Sequence, residues 1–256
     1  MKYDNWMTRR LWRDPWREYA LCLLLKRRRL SLPALDPGRL LAGFDHAPIQ
    51  LSRLSRGSWS SPVTDVVILS KLVRAARPRR VLELGSFRGY TALAIAENLE
   101  PEGLLVCVDI EPQHGEAYRD TALAARIERR VGPIGPELFP QAEQASYDLI
   151  FLDADHRYAA VKSDTETTLG LLKPGGYFVW HDYANWGYFS GACGVPEYLA
   201  DLSAQLPVAH IAGSNMAIHS PSWSGAGRAE FERLLAATAQ AGAGDHWGTG
   251  AARDAV

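Results

Sequence analysis

The stretch "VLELGSFRGYTAL", residues 81–93, decides the fold. A short β-branched and apolar run stops at Gly85, and a second apolar run begins after Gly89. That order reads as a strand, a turn and a helix start. Glycine has no Cβ, so at Gly85 and Gly89 the backbone can turn sharply and a ligand can touch it. Free N–H groups at the helix start would favour an anionic group nearby. Glu83 interrupts the apolar strand, and its placement reads as service to the loop that follows.

Working outward, helix and strand alternate from Pro62. "PVTDVVILSKLVRAA" is a helix opened by Pro62, with Asp65 in its first turn and Pro78 beyond its end. "RVLELG", "LLVCVDI", "YDLIFLDA" and "GYFVWHD" read as strands. "YTALAIAENL", "GEAYRDTALAARI" and "YAAVKSDTETTLGLLK" read as the helices between them. Strands that are apolar throughout and separated by helices predict a parallel sheet covered on both faces. Further on, "VPEYLADLSAQ" and "AEFERLLAATAQ" are helical, and "VAHIAG" with "NMAIHS" predicts a terminal hairpin. Residues 241–256 are Gly/Ala-rich without periodicity and read as a disordered tail.

Residues 1–60 differ in texture. "WRDPWREYALCLLLKRRRL" predicts a helix with Trp12, Trp16, Tyr19 and Leu23 at three- and four-residue spacing. Residues 1–29 carry nine Lys/Arg against three acids. Two readings stay open: a membrane-surface or nucleic-acid arm, or a packing or dimerisation helix whose basic end suits its macrodipole. "LPALDPG" breaks the pattern, and the chain to Ser61 reads as loop with short helical pieces. Residues 1–60 are thus a helical extension, for oligomerisation or as a substrate lid, ahead of a domain over 61–240.

The 256 residues, 47% hydrophobic and 22% charged, are enough for one large core. A net charge of -1 gives no chain-wide field toward nucleic acid or anionic membrane. Cys22, Cys107 and Cys193 are scattered and odd in number, which suits a reduced protein better than a disulfide framework. The apolar run "ALCLLL" falls well short of the roughly 20 residues that span a bilayer. A cytoplasmic protein is expected.

Spacing narrows the ligand of the glycine loop. Asp109 ends the next strand, 24 residues after Gly85, where a carboxylate can accept hydrogen bonds from a ribose diol. The loop is G-x-x-x-G with Phe87 and Arg88 inside it, unlike the G-x-G-x-x-G of dinucleotide folds, and no G-K-[ST] follows. "VLELGSFRGYTAL" resembles motif I of the class I S-adenosylmethionine-dependent methyltransferases, and "VCVDIEP" resembles the acidic end of their second strand. The resemblance implies a Rossmann-like, mostly parallel seven-stranded α/β sheet with helices on both faces and a C-terminal antiparallel hairpin. It also implies that S-adenosylmethionine is held by Glu83, Gly85, Ser86, Gly89, Tyr90, Thr91, Asp109, Ile110 and Asp153. Glu83 would order the loop or bind the amino group, and Asp109 would hold the ribose. Glu111 is a second acid that could share that role. "VGPIGPELFP" supplies no acid before Glu137, so the adenine contact is unassigned.

A second constellation closes the next two strands. "FLDADHRY" and "GGYFVWHDY" predict that Asp153, Asp155, His156, His181 and Asp182 converge on one rim of the sheet. Five polar groups there need a ligand, a metal or mutual pairing. Two carboxylates and an imidazole suit a divalent cation. "LDADH-x-Y…LLKPGG…HDY" resembles the metal-dependent O-methyltransferases of catechol and caffeoyl-coenzyme A type, and more closely the bacterial branch that tailors antibiotics and sugars. The resemblance covers residues 60–219 and implies Asp153, His181 and Asp182 as ligands of Mg²⁺, with His156 near the substrate hydroxyl. His181 departs from the pattern, which more often has Asp, Glu or Asn there, whereas Mg²⁺ prefers oxygen. An intact site with an imidazole ligand, a site tuned to another metal and a lost site all stay open. His181 could instead be a general base oriented by Asp182, and Asp155 could be a helix cap.

Methyl transfer needs a deprotonated acceptor held in line with the sulfonium carbon. Two routes are legible: His156 or His181 takes the proton, or a cation held with Asp153 and Asp182 lowers the acceptor's pKa. Tyr183, Trp186, Tyr188 and Phe189 could line an acceptor pocket or pack as a plain loop. The expected function is methyl transfer to the hydroxyl of a small molecule, a sugar or phenol, by a homodimer or larger homo-oligomer. Alternatives are transfer to nitrogen or carbon, methylation of nucleic acid, and a binding protein without activity. "DADH" stands where amino methylation of bases usually has [ND]-P-P-[YFW], so no nucleic-acid partner is expected.

Overall fold

The computed structural model describes residues 30–55, 60–184 and 194–244. The expected helix and basic arm within residues 1–29 lie outside them, as do Trp186, Tyr188 and Phe189. The described chain runs β1 (Ala34–Leu35), α1 (Pro37–Leu40), α2 (Val63–Ala76), β2 (Arg80–Leu84), α3 (Tyr90–Asn98), β3 (Leu104–Asp109) and α4 (Glu116–Arg119). It continues through β4 (Ile127–Val131), β5 (Tyr147–Leu152), α5 (Tyr158–Thr168), β6 (Leu172–Trp180), α6 (Val195–Ser203), β7 (Val208–Ile211), β8 (Ala217–His219) and α7 (Arg228–Gly244).

The strands form one sheet in the order β1-β7-β8-β6-β5-β2-β3-β4. β8 is antiparallel to both β6 and β7, and every other pairing is parallel. This is the expected Rossmann-like sheet with its C-terminal hairpin, but it has eight strands, not seven. The extra one is β1, which places Ala34 and Leu35 beside His210 and Ile211. Its two residues sit between Pro33 and Pro37, too short to show a period, so that segment read as loop.

Alternate strand residues fill two apolar layers. Val81, Leu105, Cys107, Leu149 and Phe151 face a layer that includes Leu69, Leu72 and Val73 of α2 and Leu93 of α3. Leu82, Leu84, Val106, Ile150 and Trp180 face the other, with Val161 of α5 and Leu199 of α6. Burial on both faces is what apolar runs without alternation demand.

Two helix boundaries differ from expectation. The segment read as one helix, "GEAYRDTALAARI", is α4 followed by a 3₁₀ turn over Ala122–Arg126. Thr121 lies between them in extended backbone, its hydroxyl donating to the Tyr118 carbonyl at 2.7 Å. That local bond competes with helix continuation. At the other end α7 runs to Gly244, past the expected limit at 240. Its alanines are strong helix formers, which offsets the glycines.

β2 lies between β3 and β5. The chain leaves β2 toward β3 and β4 on one side, and leaves β5 toward β6 and the hairpin on the other. This reversal between β2 and β5 puts a ligand crevice at their carboxyl ends.

Candidate functional site

Gly85 leaves β2 with φ +91°, and its N–H donates to the Val108 carbonyl at 2.8 Å. A Cβ there would lie 2.2 Å from the Asp153 carbonyl oxygen and 2.6 Å from Ala154 Cα. The atoms that come close to this glycine therefore belong to the turn after β5, a cause the sequence did not reveal. Gly89 precedes α3 with φ +82°, and a Cβ would meet the Tyr118 ring at 2.7 Å. Side chains are excluded at both positions by their own chain and by positive φ.

Asp109 holds the loop between the two glycines. Its Oδ2 accepts from the Phe87 N–H at 2.7 Å, and its Oδ1 accepts from the Glu111 N–H at 2.9 Å. Oδ1 is also 2.8 Å from His114 Nδ1. Phe87 itself sits at φ +43°, and its ring meets His114 edge-on. A carboxylate accepts more than one bond per oxygen, so Asp109 can order the loop and still accept from a ribose. Glu111 is turned to Gln113 Nε2 instead, at 2.8 Å. Beside this loop Ile110 is 65% exposed, a bare apolar side chain at the rim. Ser86 is buried, and Tyr90 and Thr91 are half-buried at the start of α3, where Thr91 Oγ1 is 3.4 Å from Ser61 Oγ.

Glu83 is fully buried and accepts from Cys107 Sγ at 3.2 Å through Oε2. Its Oε1 has no hydrogen-bond partner. Burial raises its pKa to about 8, with the Asp153 and Asp109 charges adding to the rise against hydrogen bonds from Cys107 and Ser86. A buried carboxyl with one unpaired oxygen beside a glycine loop suits a cationic amino group.

Across the switch point, four of the five expected rim residues come together. His156 Nε2 bridges Asp182 Oδ2 at 2.7 Å and Asp153 Oδ1 at 3.2 Å. His181 Nδ1 lies 3.3 Å from Asp182 Oδ1 and 3.4 Å from Asp153 Oδ1. Asp155 does not join them. It is paired with Arg157, accepting from its N–H at 2.9 Å and from its guanidinium, because two residues of separation suit a local turn. Asp182 occupies the left-handed region at φ +59°, strain of the kind held at functional sites.

The residue sequence reasoning missed is Asp65. It stands in the first turn of α2, where an acid also suits the helix dipole, so nothing marked it out. It is 2% exposed and accepts from His181 Nε2 at 3.0 Å. It also accepts from the Asn215 backbone N–H and Nδ2, both at 2.9 Å. Tyr183, for which pocket lining and plain packing were both open, is buried, and its hydroxyl accepts from the Leu32 N–H at 2.8 Å.

Charge in the cluster is mutual. Burial opposes the His156 imidazolium, but its bonds to Asp153 and Asp182 outweigh that and lift it to about 10. Burial likewise opposes charge on His181, and Asp153, Asp182 and Asp65 raise it well above the ordinary value. Burial would raise Asp182 and Asp153, yet the two imidazoles hold both below the usual carboxylate range. One donor atom each from Asp153, His181 and Asp182 lies within 4.8 Å of the others. His181 Nδ1 is buried without a hydrogen-bond partner. These residues fit a divalent cation held by two oxygens and one nitrogen.

Residues 82–183 match the family model of a methyltransferase domain. A putative O-methyltransferase of Mycobacteroides abscessus is 30% identical over 131 residues, 48% of this chain and 59% of that protein. A catechol O-methyltransferase of Mycobacterium tuberculosis is 34% identical over 91 residues, 34% of this chain and 41% of that protein. The chain thus spans about half the length of these curated relatives. Among solved structures, the O-methyltransferase TomG of Streptomyces achromogenes, in complex with SAM, superposes with a TM-score of 0.50 at 24% identity. That match covers 60% of this chain and 78% of TomG. No helix among the described residues is long and apolar enough to cross a membrane.

Proposed function

We propose that residues 82–183, which match a methyltransferase domain, form a class I S-adenosylmethionine-dependent methyltransferase domain and that the protein transfers a methyl group from S-adenosylmethionine to a hydroxyl of a small molecule. The acceptor class is a sugar or phenol, and a divalent cation assists. The observation that carries this reading is the junction of the two constellations. The turn that delivers Asp153 packs directly on Gly85, so the glycine loop and the carboxylate–imidazole cluster share one crevice.

S-adenosylmethionine, when bound, supplies the electrophilic methyl carbon. Glu83, whose Oε1 is unpaired, would accept from its amino group, and Asp109 would accept from its ribose while keeping the loop folded. Asp153, His181 and Asp182 would hold the cation, whose chemistry is to lower the pKa of the acceptor hydroxyl and fix its position. Neither histidine suits the alternative role of general base. His181 has Nε2 committed to Asp65 and Nδ1 facing the two carboxylates. His156 has Nε2 committed to Asp153 and Asp182, the two carboxylates assigned to the cation. Its role in this reading is to hold the two carboxylates together beside the acceptor. Self-association into a homodimer or larger homo-oligomer belongs to the same proposal, and sedimentation velocity on the full chain checks it.

The test is transfer of labelled methyl from S-adenosylmethionine to a panel of catechols and sugars, with the methylated atom located by NMR. Label on oxygen, lost after chelation and restored by added metal, supports the reading. Label on nitrogen or carbon, or full activity after exhaustive chelation, overturns the corresponding part.

A further inference from the structure

His181 stands where an oxygen ligand would suit Mg²⁺, and the structure shows what surrounds that nitrogen donor. We infer that His181 ligates the divalent cation through Nδ1, that Asp65 is the positioning residue which turns the ring that way, and that the site therefore takes a borderline transition metal ahead of Mg²⁺. This rests on the metal-assisted reading above and deepens it.

The argument begins with Asp65, which as a carboxylate can only accept. It receives three donors: the Asn215 N–H, Asn215 Nδ2 and His181 Nε2. With Asn215 fixing the carboxylate from the turn between β7 and β8, Asp65 requires that Nε2 carry the hydrogen. In the neutral ring Nδ1 then presents its lone pair, and it does so toward Asp153 Oδ1 and Asp182 Oδ1. Two anionic oxygens facing Nδ1 call for a positive charge among them, a proton on Nδ1 in the metal-free chain or a cation that displaces it. Turning the ring over would set carbon against Asp65 and forfeit that bond. Phe151 packs edge-on to the ring, with centroids 6.0 Å apart, within a buried site. A histidine ligand whose other nitrogen donates to a carboxylate is an arrangement that orients the ring and raises its basicity. Imidazole among the ligands shifts preference from Mg²⁺ toward Co²⁺, Zn²⁺ and their neighbours.

Binding is measured on the full chain without cofactor or acceptor, so turnover does not enter. Electron spin-echo modulation of bound Mn²⁺ reports directly coordinated nitrogen, and histidine labelled with ¹⁵N identifies its source. The expected result is one histidine nitrogen coupled to Mn²⁺, persisting in His156→Gln and lost in His181→Asn. In titrations with Co²⁺ and Mg²⁺, His181→Asn should lower the Co²⁺/Mg²⁺ affinity ratio at least about tenfold. Asp65→Asn should weaken Co²⁺ binding by about 10–100-fold, and Asn215→Ala, a milder change to the same carboxylate, should weaken it less. The labelled wild-type spectrum decides the ligand even if Asp65→Asn fails to fold. Mn²⁺ bound without nitrogen coupling would overturn this inference and leave a metal-assisted reaction standing. No binding of Mn²⁺, Co²⁺ or Mg²⁺ would overturn both.

Discussion

Replacing Glu83 by glutamine keeps the shape of a fully buried side chain and removes its ability to ionise. The native carboxyl has its pKa raised from 4.5 to about 8, mainly by burial. That displacement corresponds to roughly 5 kcal/mol of native-state preference for the neutral acid. The sign follows from linkage. Between pH 4.5 and about 8 the folded chain holds a proton on Glu83 that the unfolded chain has released. Stability from this group therefore falls as pH rises through that window, at a limiting slope of about 1.4 kcal/mol per pH unit. Below the window the group contributes no penalty, and above it the penalty is complete. Urea unfolding of wild type and Glu83→Gln, each without cofactor, should be compared at pH 5, 6, 7 and 8. The glutamine variant should gain on wild type by about 3–5 kcal/mol over the series. Taking the difference cancels the histidines common to both. A cofactor amino group paired with Oε1 would favour the ionised carboxylate, so binding near pH 7 should release about one proton. Calorimetry in buffers of different ionisation enthalpy measures that release, and Glu83→Gln should abolish it. A stability difference that does not change with pH would refute the buried-carboxyl argument. Proton release unchanged in the variant would refute the amino-group contact alone.

Gly85→Ala sets a Cβ 2.2 Å from the Asp153 carbonyl at φ +91° and should cost more than about 2 kcal/mol in thermal or urea unfolding. Gly175→Ala, where a Cβ meets nothing within 4 Å, is the control and should stay within about 1 kcal/mol. Asp109→Ala removes the acceptor for the Phe87 and Glu111 N–H groups and His114, and should weaken S-adenosylmethionine binding at least about tenfold by calorimetry. Exhaustive chelation should lower methyl transfer by at least about tenfold, with Co²⁺ restoring it at lower concentration than Mg²⁺.

β4, "IERRV", is mostly exposed and escaped a reading based on apolar runs. The alternation of apolar strands and helices was legible because β2, β3, β5 and β6 are largely buried and carry their own runs of apolar residues. β1 was not, since two residues between prolines gain their strand character only from pairing with β7. α4 stopped short of its reading because a single hydroxyl, on Thr121, took the Tyr118 carbonyl. The glycine loop was found from spacing, but the reason for Gly85 lies 68 residues away in the turn carrying Asp153. Strand ends alone brought His156, His181, Asp153 and Asp182 to one rim, because parallel strands finish on the same side.

Asp65 shows where such reading stops and what distance adds. It is 116 residues from His181 and 150 from Asn215, on a helix whose first turn accepts an acid for purely local reasons. From sequence, His181 stands out as a departure from an oxygen ligand, with an intact, altered or lost site equally open. The structure supplies its counterpart: an aspartate at position 181 would point a second buried anion at Asp65, already fixed by two bonds from Asn215. An imidazole there instead donates to Asp65 and turns its remaining nitrogen to Asp153 and Asp182. The two residues make sense as a pair, so His181→Asp alone should bind metal worse than wild type. Restoring an oxygen site should require Asp65→Asn as well, a non-additivity of at least about tenfold in metal affinity that a double-mutant cycle measures.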